Sequence, residues 1–168
     1  MRFFLDTEWA DVLGADLISI GLISEDGSKQ FYAERDPRPQ ATSDFVRHVV
    51  FPLLEGGACL MSDRAMTKAL RAFLADAESP RVIADYFNDI ALLQFVLAGF
   101  ELPDEQVDAC GPLPDFETQL ADDLGLRMAV EGWFSSHAEH QENRHHALVD
   151  AKALRIGWLA YSDSLPPA

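Results

Sequence analysis

Hydrophobic and polar positions change period several times along this chain, and each change marks an element. Phe3, Phe4 and Leu5 run into Asp6-Thr7-Glu8-Trp9, the pattern of a buried strand that breaks on two acids. A polar loop to Ala15 separates it from Asp16 to Ser24, an apolar stretch rich in β-branched residues. Glu25-Asp26-Gly27-Ser28 carries an Asp-Gly hairpin signal, and Lys29 to Glu34 sets Phe31 and Ala33 against Tyr32 in alternation. The pattern predicts three antiparallel strands in a meander, ended by a loop that holds Arg35, Pro37, Arg38 and Pro39.

Helical spacing follows. Phe45, Val49 and Leu53 recur every fourth position until Pro52 and Gly56-Gly57 interrupt them. Residues 63 to 77 predict a second helix, capped by Ser62 or Asp63 and buried through Met66, Leu70, Phe73 and Leu74. Its outer side carries Arg64, Lys68 and Arg71 as one basic stripe, expected to be a solvated face, with phosphate contact as the alternative. A short strand over 81–84 opens into a helix from about Asp89 to Leu97, ended by Gly99. Residues 105–110 read as a fifth strand. Residues 115–124 read as a helix stopped by Gly125, with Phe116 and Leu120 as core. Residues 127–143 have no period and read as a long loop over the site. A last helix runs from near His146 to about Tyr161, and 162–168 read as a frayed tail. The expectation is a single α/β domain over residues 1–168, with a mixed five-stranded sheet (three antiparallel strands, then two more) flanked by helices.

Composition narrows the class. At 168 residues, 48% hydrophobic, the chain can bury a sizeable core. No apolar run approaches the roughly 18 residues of a membrane span. No basic stretch followed by an apolar one suggests a signal peptide. Cys59 and Cys110 form no CxxC and no disulfide framework, which points to the cytoplasm. Thirteen Lys and Arg against 28 Asp and Glu give a net charge of −15. A duplex-DNA binder works by displacing counterions with basic side chains, so this balance argues against one. Any nucleic acid must be held locally, by metal ions and a few arginines. Most of the acidity reads as solvated surface.

Three places carry candidate chemistry. Asp6 and Glu8 share one face of the first strand, roughly 6.5–7 Å apart, a span on which one or two hard cations can sit. The plainer reading is a strand that ends in a polar turn. Asp89 stands where a strand gives way to a helix, whose N-terminus favours an ionised carboxylate or uses it as a cap. In His145-His146-Ala147-Leu148-Val149-Asp150, Ala147 leaves room for Asp150 to approach a neighbouring strand. His145 would lie about 140° from Asp150 on one helix, so it joins Asp150 only from the turn before that helix. His137, His140, His145 and His146 invite a zinc reading that lacks a Cys pair to support it. Carboxylates without softer ligands favour Mg²⁺ or Mn²⁺. Trp9 either stacks on a base or covers the sheet edge.

Taken together, these residues resemble the DEDDh 3′–5′ exonuclease superfamily, which has the RNase H-like fold. Asp6-x-Glu8 matches its first motif, Asp89 followed by Leu92-Leu93 its second, and His145-x-Ala147-x-x-Asp150 its third. Within it, Asp6-Thr7-Glu8, Leu17 to Gly21 and Ser24 to Gly27 look like small bacterial exoribonucleases related to ribonuclease T. The second motif departs from that group's pattern, because Asp85 competes with Asp89; Asp89 is preferred for its helix-start position. The resemblance implies two Mg²⁺ or Mn²⁺ ions held by Asp6, Glu8, Asp89 and Asp150, with Asp6 bridging them and His145 as general base. It implies Thr7 and Trp9 as substrate contacts. It also implies RNA 3′ ends or overhangs as substrate, a nucleoside 5′-monophosphate product, and a homodimer. The rivals are a DNA exonuclease of the same superfamily and a non-catalytic interaction domain on the same fold.

Overall fold

The first strand becomes the centre of a sheet because it is apolar on both faces. In the computed structural model, which describes residues 1–41 and 43–164, β1 (Arg2–Trp9) pairs antiparallel with β2 (Leu17–Ser24) and parallel with β5 (Arg81–Ala84). β3 (Gln30–Arg35) returns antiparallel beside β2, with Leu22 opposite Phe31. Two further strands lie at the edges. β4 (Leu60–Met61) runs parallel to β3, and β6 (Glu117–Leu120) runs parallel to β5. The fold is α/β with a mixed six-stranded sheet of order β4-β3-β2-β1-β5-β6, flanked by helices.

The alternation of β1 divides the core. Phe3 and Leu5 join Ile20 and Leu22, together with Met66, Leu70 and Leu93, under α1 (Asp63–Ala75) and α2 (Phe87–Ala98). Phe4 faces the other way, against Ala151, Leu154 and Trp158 of α6 (Ala147–Ser164), with its ring 5.9 Å from that of Trp158. Asp6 and Glu8 follow Phe4 at strand spacing, so they too turn toward α6. β5 pairs with β1 only from Arg2 to Phe4. Past Ala84 the chain of β5 leaves the sheet for α2, which opens a crevice beside the acidic end of β1, the kind of place where α/β sheets bind ligands.

Several expectations need correction. The sheet has six strands, not five. Residues 105–110 are not a strand: Asp104–Asp108 form the short helix α3. Residues 115–124 are not a helix: they contain β6, and Leu120 is exposed on it. Residues 127–143 are not a loop. α4 (Leu124–Ser136) and α5 (Ala138–Gln141) occupy that stretch, and Asp123 caps α4 by accepting from Gly125 N at 2.7 Å. The four-residue spacing from Phe45 marked the wrong face, since Val46 and Val50 are buried while Phe45 and Val49 are exposed. That segment is a π-helical turn (Val46–Val50) followed by a 3-10 turn (Phe51–Leu53), whose wider and narrower pitches shift the buried face.

Arg71 is also not on a solvated stripe. Its guanidinium is buried and donates to the Leu97 carbonyl at 2.9 and 2.7 Å, to that of Val107 at 3.3 Å, and to that of Gly111. The last helix continues through Ser164, so 162–164 are helical, and the remainder of the expected tail lies outside the described residues. Among the described residues, no helix is long and apolar enough to cross a membrane.

Candidate metal centre

Four elements deliver acids to the crevice. β1 brings Asp6 and Glu8, the β5–α2 turn brings Asp85, the first turn of α2 brings Asp89, and the first turn of α6 brings Asp150. Oxygen atoms of Asp6, Asp85 and Asp89 lie within 4.8 Å of one another. A second trio, Glu8, His145 and Asp150, offers ligand atoms at the same mutual spacing. Asp6, Glu8, His145 and Asp150 line a cavity of about 410 Å³ together with Thr7 and Trp9. A larger hollow of about 520 Å³ lies around Met1, Arg2 and Arg81, at the far end of β1 from the acids.

Local hydrogen bonds fix these side chains. Asp89 Oδ1 accepts from Thr7 N at 3.1 Å and Thr7 Oγ1 at 2.6 Å, which ties α2 to β1. Thr7 therefore holds an acid in place, on the sheet face opposite to Asp6 and Glu8. His145 lies in the turn before α6 with φ +75°, a left-handed conformation uncommon for a residue with a Cβ. Asp150 Oδ2 accepts from His145 N at 3.0 Å, so the helix's own acid holds that turn closed. Phe45 packs edge-on against the imidazole, with centroids 4.8 Å apart.

Gly21 makes the approach of α6 possible. It pairs with Asp6 across the β1–β2 ladder, and a Cβ built on it would lie 2.5 Å from Leu148 N and 2.6 Å from the Ala147 carbonyl carbon. Ala147 itself is fully buried. With a side chain at Gly21, the first turn of α6 could not sit against β2, and Asp150 would stand away from Asp6.

Burial and crowding raise the affinity of these acids for protons. Desolvation, then repulsion from Asp89, Asp150 and Glu8, holds Asp6 well above the usual carboxylate range. Desolvation, then Asp150 and Asp89, pushes Glu8 up to about 9. Desolvation is the largest cause at Asp89 and Asp150, both raised to about 7, and at Asp85, also raised. Burial and the neighbouring Arg144 push the His145 imidazole down, which favours its neutral, proton-accepting form.

Asp6 Oδ2 and Asp150 Oδ1 are shielded from solvent and have no hydrogen-bond partner among the described residues. A buried carboxylate oxygen without a donor is costly, and a cation resolves that cost. An oxygen-rich donor set with one imidazole fits Mg²⁺ or Mn²⁺ better than softer metals.

The four histidines of the zinc alternative are divided. His137 and His140 stack on Trp133 with centroids 5.2 and 4.8 Å away, while His146 stacks on Tyr32 at 4.3 Å. Only His145 reaches the acids among the described residues. Trp9 packs on the core, stacked on Tyr86 at 5.8 Å, and also lines the cavity. Asp85 was legible only as a rival to Asp89, whereas the structure brings both to Asp6. Arg144 was not singled out. It lines the cavity beside His145 and is the cation there, next to the third motif in the sequence. No protein-family model matches this chain, and no curated protein matches it either.

Proposed function

We propose that this protein is a divalent-metal-dependent 3′–5′ exoribonuclease of the DEDDh type, acting on single-stranded RNA ends on an RNase H-like fold. The observation that carries the reading is the meeting of two ligand trios, Asp6/Asp85/Asp89 and Glu8/His145/Asp150, supplied by segments far apart in the chain. The sheet agrees with the fold: apart from the two-residue β4, its strands run β3-β2-β1-β5-β6, with β2 alone antiparallel to the others.

Asp6, Glu8, Asp89 and Asp150 would hold the ions, with Asp85 as a fifth acid at the same place. Bound there, two divalent ions supply charge neutralisation at the phosphoryl oxygens and lower the pKa of water. The protein's own part is positional. Thr7 holds Asp89, Asp150 holds the backbone of His145, and the neutral imidazole accepts a proton from the attacking water. Trp9 lines the cavity and would offer its indole to a terminal base. Arg144 offsets part of the negative charge that a phosphate would otherwise meet.

The test is a 3′-overhang RNA incubated with Mn²⁺, with matched DNA alongside. The expected result is stepwise loss of nucleoside 5′-monophosphates from the RNA, abolished in Asp6→Ala. Equal turnover in Asp6→Ala removes the proposal. Faster cleavage of the DNA transfers it to the deoxy substrate, since only RNA offers a 2′-hydroxyl to read.

A further inference from the structure

A second cavity, of about 310 Å³, adjoins the acidic one and is lined by Asp85, Tyr86, Arg127, Val130, Glu131 and Arg144. Both volumes fall in the ~300–1,000 Å³ range of small-ligand sites. Two features join the cavities. Arg144 lines both of them, and of the stacked pair Trp9–Tyr86 one residue lines each. Asp85 stands at the same boundary, lining the second cavity while its carboxylate lies within 4.8 Å of those of Asp6 and Asp89.

The contents of the second cavity match the parts of a nucleotide. Tyr86 is 54% exposed, an unusual state for so large a ring and one that leaves area for a base. Arg127 and Arg144 offer two planar guanidiniums suited to a phosphate. Each already has a carboxylate partner: Asp122 for Arg127, and Glu131 for Arg144 with Nη1 at 3.0 Å. Those bonds use one or two of the five donors on each guanidinium, so donors remain. Side-chain exposures of 54% for Arg127 and 32% for Arg144 make the pairs weak stabilisers, so fold stability gives a poor reason for collecting these residues. Arg144 is held further by the Phe134 ring, 4.9 Å below its guanidinium carbon, which keeps the cation at the junction.

We infer that the two cavities form one track for single-stranded RNA, in which the Tyr86–Arg127–Arg144 pocket takes the nucleotide adjoining the scissile phosphodiester. The inference rests on the nuclease reading and adds where the rest of the strand lies. Against the net charge of −15, the strand would meet two guanidiniums along this path, those of Arg127 and Arg144, beside the acids Asp85 and Glu131.

The experiment separates the two claims. Binding of a fluorescein-labelled single-stranded RNA decamer is read by anisotropy in Ca²⁺, for the intact protein, Arg127→Gln, Tyr86→Leu and Arg64→Gln. Arg64 is exposed on α1 and serves as the charge control. Arg127→Gln and Tyr86→Leu should each raise Kd about tenfold, the scale of one charge-assisted hydrogen bond or one stacked base. Arg127→Gln should also lower the slope of log K against log salt by about 0.7, the value for one phosphate of a single strand. Arg64→Gln should change Kd less than twofold. The track is overturned if Arg127→Gln binds like the intact protein, if Arg64→Gln loses as much, or if the intact protein binds no decamer. Hydrolysis of thymidine 5′-(p-nitrophenyl phosphate) with Mn²⁺, a substrate with a single phosphodiester, reports on the acidic centre by itself. Its failure would remove the nuclease reading while the binding series still judges the track.

Discussion

At the scale of single residues, the site depends on a side chain that is not there. Gly21 sits opposite Asp6, and its Cα faces the backbone of the first turn of α6. Gly21→Ala would place a methyl 2.5 Å from Leu148 N, where backbone must move. Overpacking of this kind costs about 1–3 kcal/mol. The displaced group is the turn that carries Asp150 and His145, and a shift near 1 Å in a positioned catalytic group lowers rates about 100-fold. The expected outcome is a variant that is still folded, with a modestly lower Tm, and that loses far more activity than stability. Gly132→Ala is the matched comparison, because nothing lies within 4 Å of its new methyl and α4 should gain about 0.5–1 kcal/mol. Unchanged activity in Gly21→Ala, measured beside circular dichroism melts of both variants, would show that close approach of α6 is not what sets the site.

At the scale of elements, the parts legible in the sequence were those with a strong period and a buried face. β1, β2 and β3 showed themselves through unbroken apolar runs and the Asp-Gly turn, and α6 through its register with Asp150. β6 was hidden because Glu117 to Leu120 is an edge strand with little buried surface and so no alternation to read. α4 was hidden by glycine: Gly125 reads as a stop, yet it lies in the first turn, where a Cβ added to it would sit 2.5 Å from the Tyr161 ring. Contacts made across the chain cannot be read from local spacing, and Arg71 is the clearest case. Its place in a row with Arg64 and Lys68 suggests a wet face, while its guanidinium closes the carbonyls of Leu97, Val107 and Gly111 where α2 and α3 end. Arg71→Leu would leave those acceptors short of donors at a helix C-terminus. A loss on the order of 3 kcal/mol is expected in urea unfolding, with Arg64→Gln nearly neutral. A loss below 0.5 kcal/mol for Arg71→Leu would return it to the surface stripe.

At the scale of the whole molecule, the acidic centre predicts how stability follows pH. Desolvation and crowding hold Glu8 near 9, Asp89 and Asp150 near 7, and Asp6 well above the ordinary carboxylate range, whereas unfolded carboxylates titrate near 4. Between those limits the folded chain binds more protons than the unfolded one, so its stability falls as pH rises. Two other effects overlap the lower part of that window. Self-repulsion of the net −15 charge also grows with pH, but surface acids are fully ionised by about pH 6. Burial lowers the pKa of His145 and His146, which stabilises the fold as pH rises, but only up to the unfolded value near 6.5. Above pH 6.5 the remaining slope belongs to the buried acids. Metal-free protein in EDTA should therefore lose Tm steadily from pH 6.5 to 8.5. A cation that replaces those protons binds more tightly as they leave, so the rise in Tm produced by Mn²⁺ should grow over the same interval. Asp6→Ala removes one of the crowded charges and should flatten both trends. A metal-free Tm that holds level or climbs above pH 6.5, or a Mn²⁺ shift that ignores pH, would mean that these carboxylates are already ionised and satisfied without a metal.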